Sequence, residues 1–167
     1  MISSADFPAV MLALDAEIHL KGPAGWRVVN APDFFQDLFT VNMAADEIIA
    51  SVQFAPVRSA AYAKLKQRAS HYAIVGVAAA LGVQGGRITS ARVALTGAAS
   101  HATRLANVEQ ALTGQPAAKD TFEKASQVAG EGLTGINSDL HASADYRRAM
   151  IKVFTKRALV AAADRSG

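Results

Sequence analysis

The 167-residue chain is 51% hydrophobic and carries 17 basic against 14 acidic side chains, for a net charge of +3. That much apolar material can fill a core, which excludes disorder by composition, and 7% aromatics without a broad cationic footprint excludes the make-up of a nucleic-acid-binding protein. With no cysteine, the chain can hold no disulfide, no thiolate-bound zinc and no cysteine-ligated iron–sulfur cluster, so any electron-carrying metal centre would lie on another chain.

In chain order, Phe7 to Leu20 fits neither period throughout and, with Pro8 near its start, reads as a short helix turning into a strand. Glycine and proline in "KGPAGWRVV" mark a turn ahead of a strand over Trp26 to Val29. In "APDFFQDLF", Asp33 is placed to cap a short helix carrying Phe34, Phe35, Leu38 and Phe39. Alternation from Ile48 to Phe54 predicts a strand that Pro56 ends. The adjacent carboxylates Asp46 and Glu47 precede it; they suit acid–base work only if they converge in a cleft, and otherwise form a solvated turn.

From Ser59 the pattern changes. "AAYAKLKQR" reads as an exposed strand with Tyr62, Lys64 and Lys66 on one face. The apolar run Ala73 to Val83 is too short to span a bilayer, and the amino terminus has no charged, hydrophobic and cleavable signal arrangement, so a cytoplasmic location is expected. Periodicity does not separate helix from strand in that run, but "GVQGGRIT" after it has hairpin chemistry and selects strand. Arg87 to Leu95 returns beside it, with Ala91, Val93 and Leu95 pointing one way and Arg92 and Ala94 the other. Helices follow over Arg104 to Leu112, stopped by Gly114 and Pro116, and over Asp120 to Val128. A last helix begins at Ser143, whose hydroxyl can cap free backbone N–H groups, and Tyr146, Met150, Val153 and Phe154 form its buried stripe. Its cations Arg147, Arg148, Lys152, Lys156 and Arg157 make a local basic face. Three strands and then three helices predict an α+β fold, a three-stranded antiparallel sheet on a three-helix layer that can close its own core from about Ser59 onward.

Three blocks, "AYAKLKQRASHYAIVGVAAAL", "RVALTGAASHATRLANVEQALTG" and "SADYRRAMIKVFTKRAL", taken in this order and spacing, resemble the carboxy-terminal domain of the flavoprotein, or medium, subunit of xanthine dehydrogenase and carbon monoxide dehydrogenase type molybdenum hydroxylases. "DFPAVMLALDAEIHLKGPAGWRVVNAPDFF" and "ADEIIASVQF" are similar to the second half of that family's FAD-binding domain. The resemblance divides the chain into 1–58, the end of a PCMH-type FAD-binding domain, and 59–167, the carboxy-terminal domain. It implies FAD as cofactor, with a molybdopterin-binding large subunit and an iron–sulfur small subunit as partners. Electrons would pass from the clusters through FAD to an acceptor. The two glycine-rich loops that wrap the FAD pyrophosphate in the family have no counterpart here, since Gly85-Gly86 reads as a hairpin turn. The chain is thus similar to a family member that starts partway through its FAD domain, by gene truncation, a split gene or shortening.

Carried over residue by residue, Ile48 and Ile49 match the family's apolar residues near the isoalloxazine ring, and Tyr62 and Lys64 match the Y-x-K element beside it. An aromatic can cover the ring's face, and an ammonium can favour the anionic reduced flavin. By pattern alone the isoleucines read as strand core and Tyr62 and Lys64 as a solvated strand face. Two positions depart from the family: His71 stands before Tyr72 where aspartate is usual, and "HAT" replaces a proline before Arg104. His71 is a candidate pH-sensitive contact, whereas no cluster of ligands supports a metal there or at His19, His101 or His141, which read as surface or cap residues. No serine, histidine and acid arrangement is recognisable, so no catalytic residue is assigned. Two functions remain: part of a flavin-dependent oxidoreductase whose other half is a separate polypeptide, or a fragment that folds and associates without redox activity. Exposed Trp26, Phe34, Phe35, Leu38 and Phe39 would then promote self-association through residues 1–58.

Overall fold

A computed structural model describes residues 5–165. Helix α1 (Asp6–Ala13) reverses at Asp15, where φ is +47°, into strand β1 (Glu17–Gly22), and the two-residue turn Pro23-Ala24 returns the chain as β2 (Gly25–Asn30). A single helical turn, α2 (Ala31–Phe34), leads to the small hairpin of β3 (Phe35–Asp37) and β4 (Thr40–Val41). Strand β5 (Ile48–Gln53) then pairs with β1, completing an antiparallel sheet in the order β2-β1-β5. A second antiparallel sheet follows from β6 (Ser59–Lys66), β7 (Ala73–Gln84), β8 (Arg87–Thr96) and the short β9 (Thr103–Arg104), in chain order. Helices α3 (Ala106–Leu112), α4 (Lys119–Gln127) and α5 (Ala144–Ala163) close the chain.

The continuous apolar run of β7 is explained by cover on both faces. Val75, Val77, Ala79 and Leu81 share one core with Val93 and Leu95 of β8 and with Leu112, Phe122, Ile151 and Leu159 of the three helices. Burying each of these larger side chains stabilises the fold by about 1.5–3 kcal/mol relative to leaving it in water. On the opposite face β7 and β8 offer small groups, Ala78 and Ala94, beside the half-buried Tyr62 of β6, and these join Ala9, Met11 and Leu12 of α1 in a second core that also takes in Ile18, Leu20, Phe34 and Phe35. Small side chains let the α1 backbone lie close to the strands. The β7–β8 hairpin turns at Gly85 and Gly86, both at positive φ (+57° and +73°), as a two-residue turn with the sheet's own twist requires.

The α+β reading holds, with β9 as a fourth, two-residue strand beyond the three expected. Arg104 belongs to that strand, so α3 begins at Ala106. Asp33 does not cap a helix over Phe34 to Phe39: Pro32, with its fixed φ, starts the turn at Ala31 behind Asn30, and the chain is extended again at Phe35. Phe34 and Phe35 are consequently buried, stacked edge to face at 5.3 Å, instead of exposed.

Helix α5 starts as expected, Ser143 Oγ accepting from the Tyr146 amide at 3.2 Å, but its buried stripe is rotated from the predicted one. Ile151, Phe154, Ala158, Leu159 and Ala162 face the sheet, while Tyr146 and Val153 are exposed. Arg147 leaves the basic face for the interior, 3% exposed. Its Nη1 donates to the carbonyls of Ile74 (2.6 Å) and Gly97 (3.1 Å) and its Nη2 to Asp139 (2.6 Å), so it ties the start of α5 to the end of β8 and the beginning of β7. Truncating one member of such a set strands the others. Arg147→Ala should lower the unfolding free energy in urea by about 3–5 kcal/mol, whereas Arg148→Ala, its exposed neighbour, should change it by less than about 0.5 kcal/mol.

Candidate functional site

Tyr62 and Lys64 leave the same face of β6, two residues apart, and both reach the carboxylate of Asp6 in the first turn of α1. Tyr62 Oη donates to Oδ1 at 2.6 Å and Lys64 Nζ to Oδ2 at 2.5 Å. Burial first, then the Asp6 hydrogen bond and charge, push the Tyr62 hydroxyl far above its ordinary range, so it is a fixed proton donor. Gly76 lies opposite Lys64 in the ladder, and a methyl group there would collide with the Tyr62 hydroxyl. The face expected to be solvated is therefore half-buried and engaged. Asp6 had no signal of its own in the sequence beyond an acid in a helix's first turn, where the dipole favours it.

The far end of α1 is held as firmly. Asp15 pairs with Arg92 and accepts from Arg104 Nη1 at 2.9 Å, and Arg104 Nε and Nη2 grip Glu109 at 2.5 and 2.9 Å. Glu109 also accepts the Val93 amide at 2.8 Å, linking α3 to β8.

Ile48 and Ile49 lie in the other sheet, on β5, whose outer edge has no strand partner among the described residues. Ile48 is opposite Lys21 and shares a face with Trp26 and Val28 of β2, where Lys21 Nζ sits over the Trp26 ring at 5.0 Å. That face is open: Ile48 is 64% and Trp26 65% exposed. Ile49 points to the opposite side, opposite Leu20, and is 38% exposed, so neither isoleucine is strand core. At the rim, Glu47 turns inward onto Arg27, receiving Nε and Nη2 at 2.6 and 2.8 Å and the Ala44 amide at 2.7 Å. The Arg27 hydrogen bonds, then that amide, hold its carboxyl down to about 2. Glu47 is thus an ionised brace at neutral pH, and Asp46 stays in the exposed turn.

This arrangement fits one part of FAD better than the other. An apolar strand face and edge suit an aromatic ring, whereas a pyrophosphate needs converging backbone amides free of nearby negative charge. Among the described residues, the amino end of α1 carries Asp6, and the paired glycines Gly85 and Gly86 are used in the β7–β8 turn. The residues present fit the ring and not the pyrophosphate.

Residues 60–162 match the family model for the CO dehydrogenase flavoprotein C-terminal domain, and residues 2–57 match that for the FAD binding domain in molybdopterin dehydrogenase. The nicotine 6-hydroxylase medium subunit of Paenarthrobacter nicotinovorans is 31% identical over 98% of this chain and 58% of its own length. The carbon monoxide dehydrogenase medium chain of Hydrogenophaga pseudoflava is 32% identical, over 94% and 55%. A solved structure of the Hydrogenophaga pseudoflava carbon monoxide dehydrogenase lacking the Mo-pyranopterin moiety superimposes with a TM-score of 0.91 at 32% identity, over 99% of this chain and 58% of that one. Quinoline 2-oxidoreductase from Pseudomonas putida 86 gives 0.88 at 31%, over 98% and 57%. The chain spans a little over half the length of the relatives it matches.

Asp6→Ala should destabilise the chain by about 1.5–3 kcal/mol, because it removes a charge-assisted contact and leaves the Tyr62 hydroxyl and Lys64 ammonium half-buried without it. A double-mutant cycle with Tyr62→Phe in urea should show coupling, and additive effects would contradict the clamp. For Glu47 the folded value lies below the ordinary 4.5, so its contribution is complete above about 4.5 and disappears as pH falls toward 2. Carbon-detected NMR of the Glu47 carboxyl should show a midpoint near 2, returning toward 4.5 in Arg27→Gln.

Proposed function

Because the chain belongs to the CO dehydrogenase flavoprotein C-terminal domain family, we propose that it works as part of the FAD-binding medium subunit of a molybdenum hydroxylase-type oxidoreductase in the cytoplasm. Its partners on this reading are a molybdopterin-binding large subunit and an iron–sulfur small subunit. FAD, when bound, takes electrons from the iron–sulfur clusters and passes them to an acceptor. The observation that carries the reading is the open face with Trp26, Val28 and Ile48 and the edge of β5, unpaired among the described residues, within the stretch matching the FAD-binding domain model.

In this proposal Ile48 and Ile49 supply apolar contact to the flavin ring, and Tyr62 and Lys64 border the cofactor from β6 while keeping α1 in place. The working division lies near residue 58, between the two matched stretches. The pyrophosphate cradle has to come from chain outside the residues described.

A second reading has its own support. Asp6 already occupies both Tyr62 and Lys64, so the chain by itself is well suited to fold and to associate without FAD. Trp26, Leu38, Phe39 and Ile48 remain exposed to drive that association, even with Phe34 and Phe35 withdrawn into the core.

One experiment separates the two. The purified chain is incubated with FAD, freed of excess by gel filtration and scanned in the visible. Losing several charge-assisted hydrogen bonds to phosphate, about 1.5–3 kcal/mol each, should weaken binding by orders of magnitude and leave the chain colourless. Adding a polypeptide that carries the glycine-rich segments should restore a yellow complex, weakened in Ile48→Asp. A stoichiometric yellow complex of the chain alone would overturn the division of the site, and a colourless mixture even with the added polypeptide would favour the second reading.

A further inference from the structure

The basic residues of α5 are not absorbed by the flavin reading. Between α4 and α5 runs an open groove of about 560 Å³, on the side of the second sheet away from α1. Val153, Val160 and Ala161 give it an apolar floor, and Lys152, Lys156 and Arg157 stand along it. On α5 these positions recur at steps of three and four, so the stripe from Val153 to Asp164 is continuous over about three turns, or about 16 Å.

The charges are unevenly satisfied. Lys156 pairs with Glu123 across the groove, whereas among the described residues Lys152 and Arg157 form no ion pair. Arg157 instead lies over the Phe154 ring at 4.8 Å, held in a defined position. The remaining carboxylate in the lining is Asp164, at the far end. An apolar floor with uncompensated cations on its wall complements a helix that carries leucine-like residues on one face and acids beside them. A phosphate polymer fits less well, since it would meet Glu123 and Asp164 and leave the floor wet.

We propose that the α4–α5 groove docks an acidic amphipathic helix of a partner polypeptide. The inference stands whether or not the flavin reading does.

The probe is a fluorescent synthetic peptide of about 18 residues, five helical turns, with leucines on one face and glutamates flanking them, titrated by anisotropy with the 167-residue chain. Saturable binding is expected. Lys152→Glu combined with Arg157→Glu should weaken it at least about tenfold, a lysine-for-glutamate peptide should then prefer that doubly reversed protein, and Val153→Ser should cost several-fold. Lys152→Gln, which leaves the Phe154 stack intact, keeps the test available should the double change unfold the chain, as followed by circular dichroism. Several results would overturn the proposal: no binding up to about 1 mM, an equal loss in the surface variant Lys21→Glu on the amino-terminal sheet, across the second sheet from the groove, or indifference to Val153→Ser. Displacement of the peptide by phosphatidylserine vesicles with the same variant dependence would assign the groove to a lipid surface. Burial of the groove in a dimer, seen by sedimentation as a monomer only in the charge-reversed variant, would assign it to a second copy.

Discussion

The clamp on α1 is the constraint from which the rest of the arrangement follows. A helix of eight residues is too short to persist in water by itself, and here it is fastened at both ends to the sheet it covers. Asp6 is gripped by Tyr62 and Lys64 at one end, and Asp15 by Arg92 and Arg104 at the other. Each contact is between parts of the chain more than fifty residues apart, so each ties the amino-terminal helix to the second sheet. Since β1 follows α1 within a few residues and β2 and β5 are built upon β1, the position of the whole amino-terminal sheet is inherited from this helix.

The second sheet is made for that role by its choice of side chains. Toward α3, α4 and α5 it presents valine and leucine, which fill the space beneath three helices. Toward α1 it presents alanine and glycine, which let a single helix approach and leave room for the Tyr62 ring. Dispersion gains fall off within a fraction of an ångström, so the close approach allowed by small groups is what makes one short helix adequate cover.

Two outward surfaces remain after these requirements are met, and they differ in chemistry. The face of the amino-terminal sheet exposes Trp26, Val28 and Ile48, with Lys21 over the tryptophan ring and His19 and Ser51 in the next row, and suits a flat aromatic ligand or a covering chain. The α4–α5 groove combines an apolar floor with cations and suits a peptide. They lie on opposite sides of the four-stranded sheet, so that what happens at one need not obstruct the other.

Much of this was legible in the amino-acid sequence because it depends on local chemistry. Paired glycines dictate the β7–β8 turn, alternation dictates β5 and the faces of β8, Ser143 dictates the start of α5, and the three blocks carry the family. What the tertiary structure decided is which neighbours each side chain meets. Arg147 sits in a basic run yet is interior, because three acceptors converge on it from distant segments. Phe34 and Phe35 look like an exposed cluster yet complete the second core, because the helix begins at Ala31, ahead of Asp33, and is over by Phe34, with the chain extended again at Phe35. Tyr62 and Lys64 are matched by resemblance to a flavin site, and only the fold reveals the Asp6 carboxylate that holds them. Periodicity reports the faces of an element; charge pairing between elements depends on distances that no local pattern encodes.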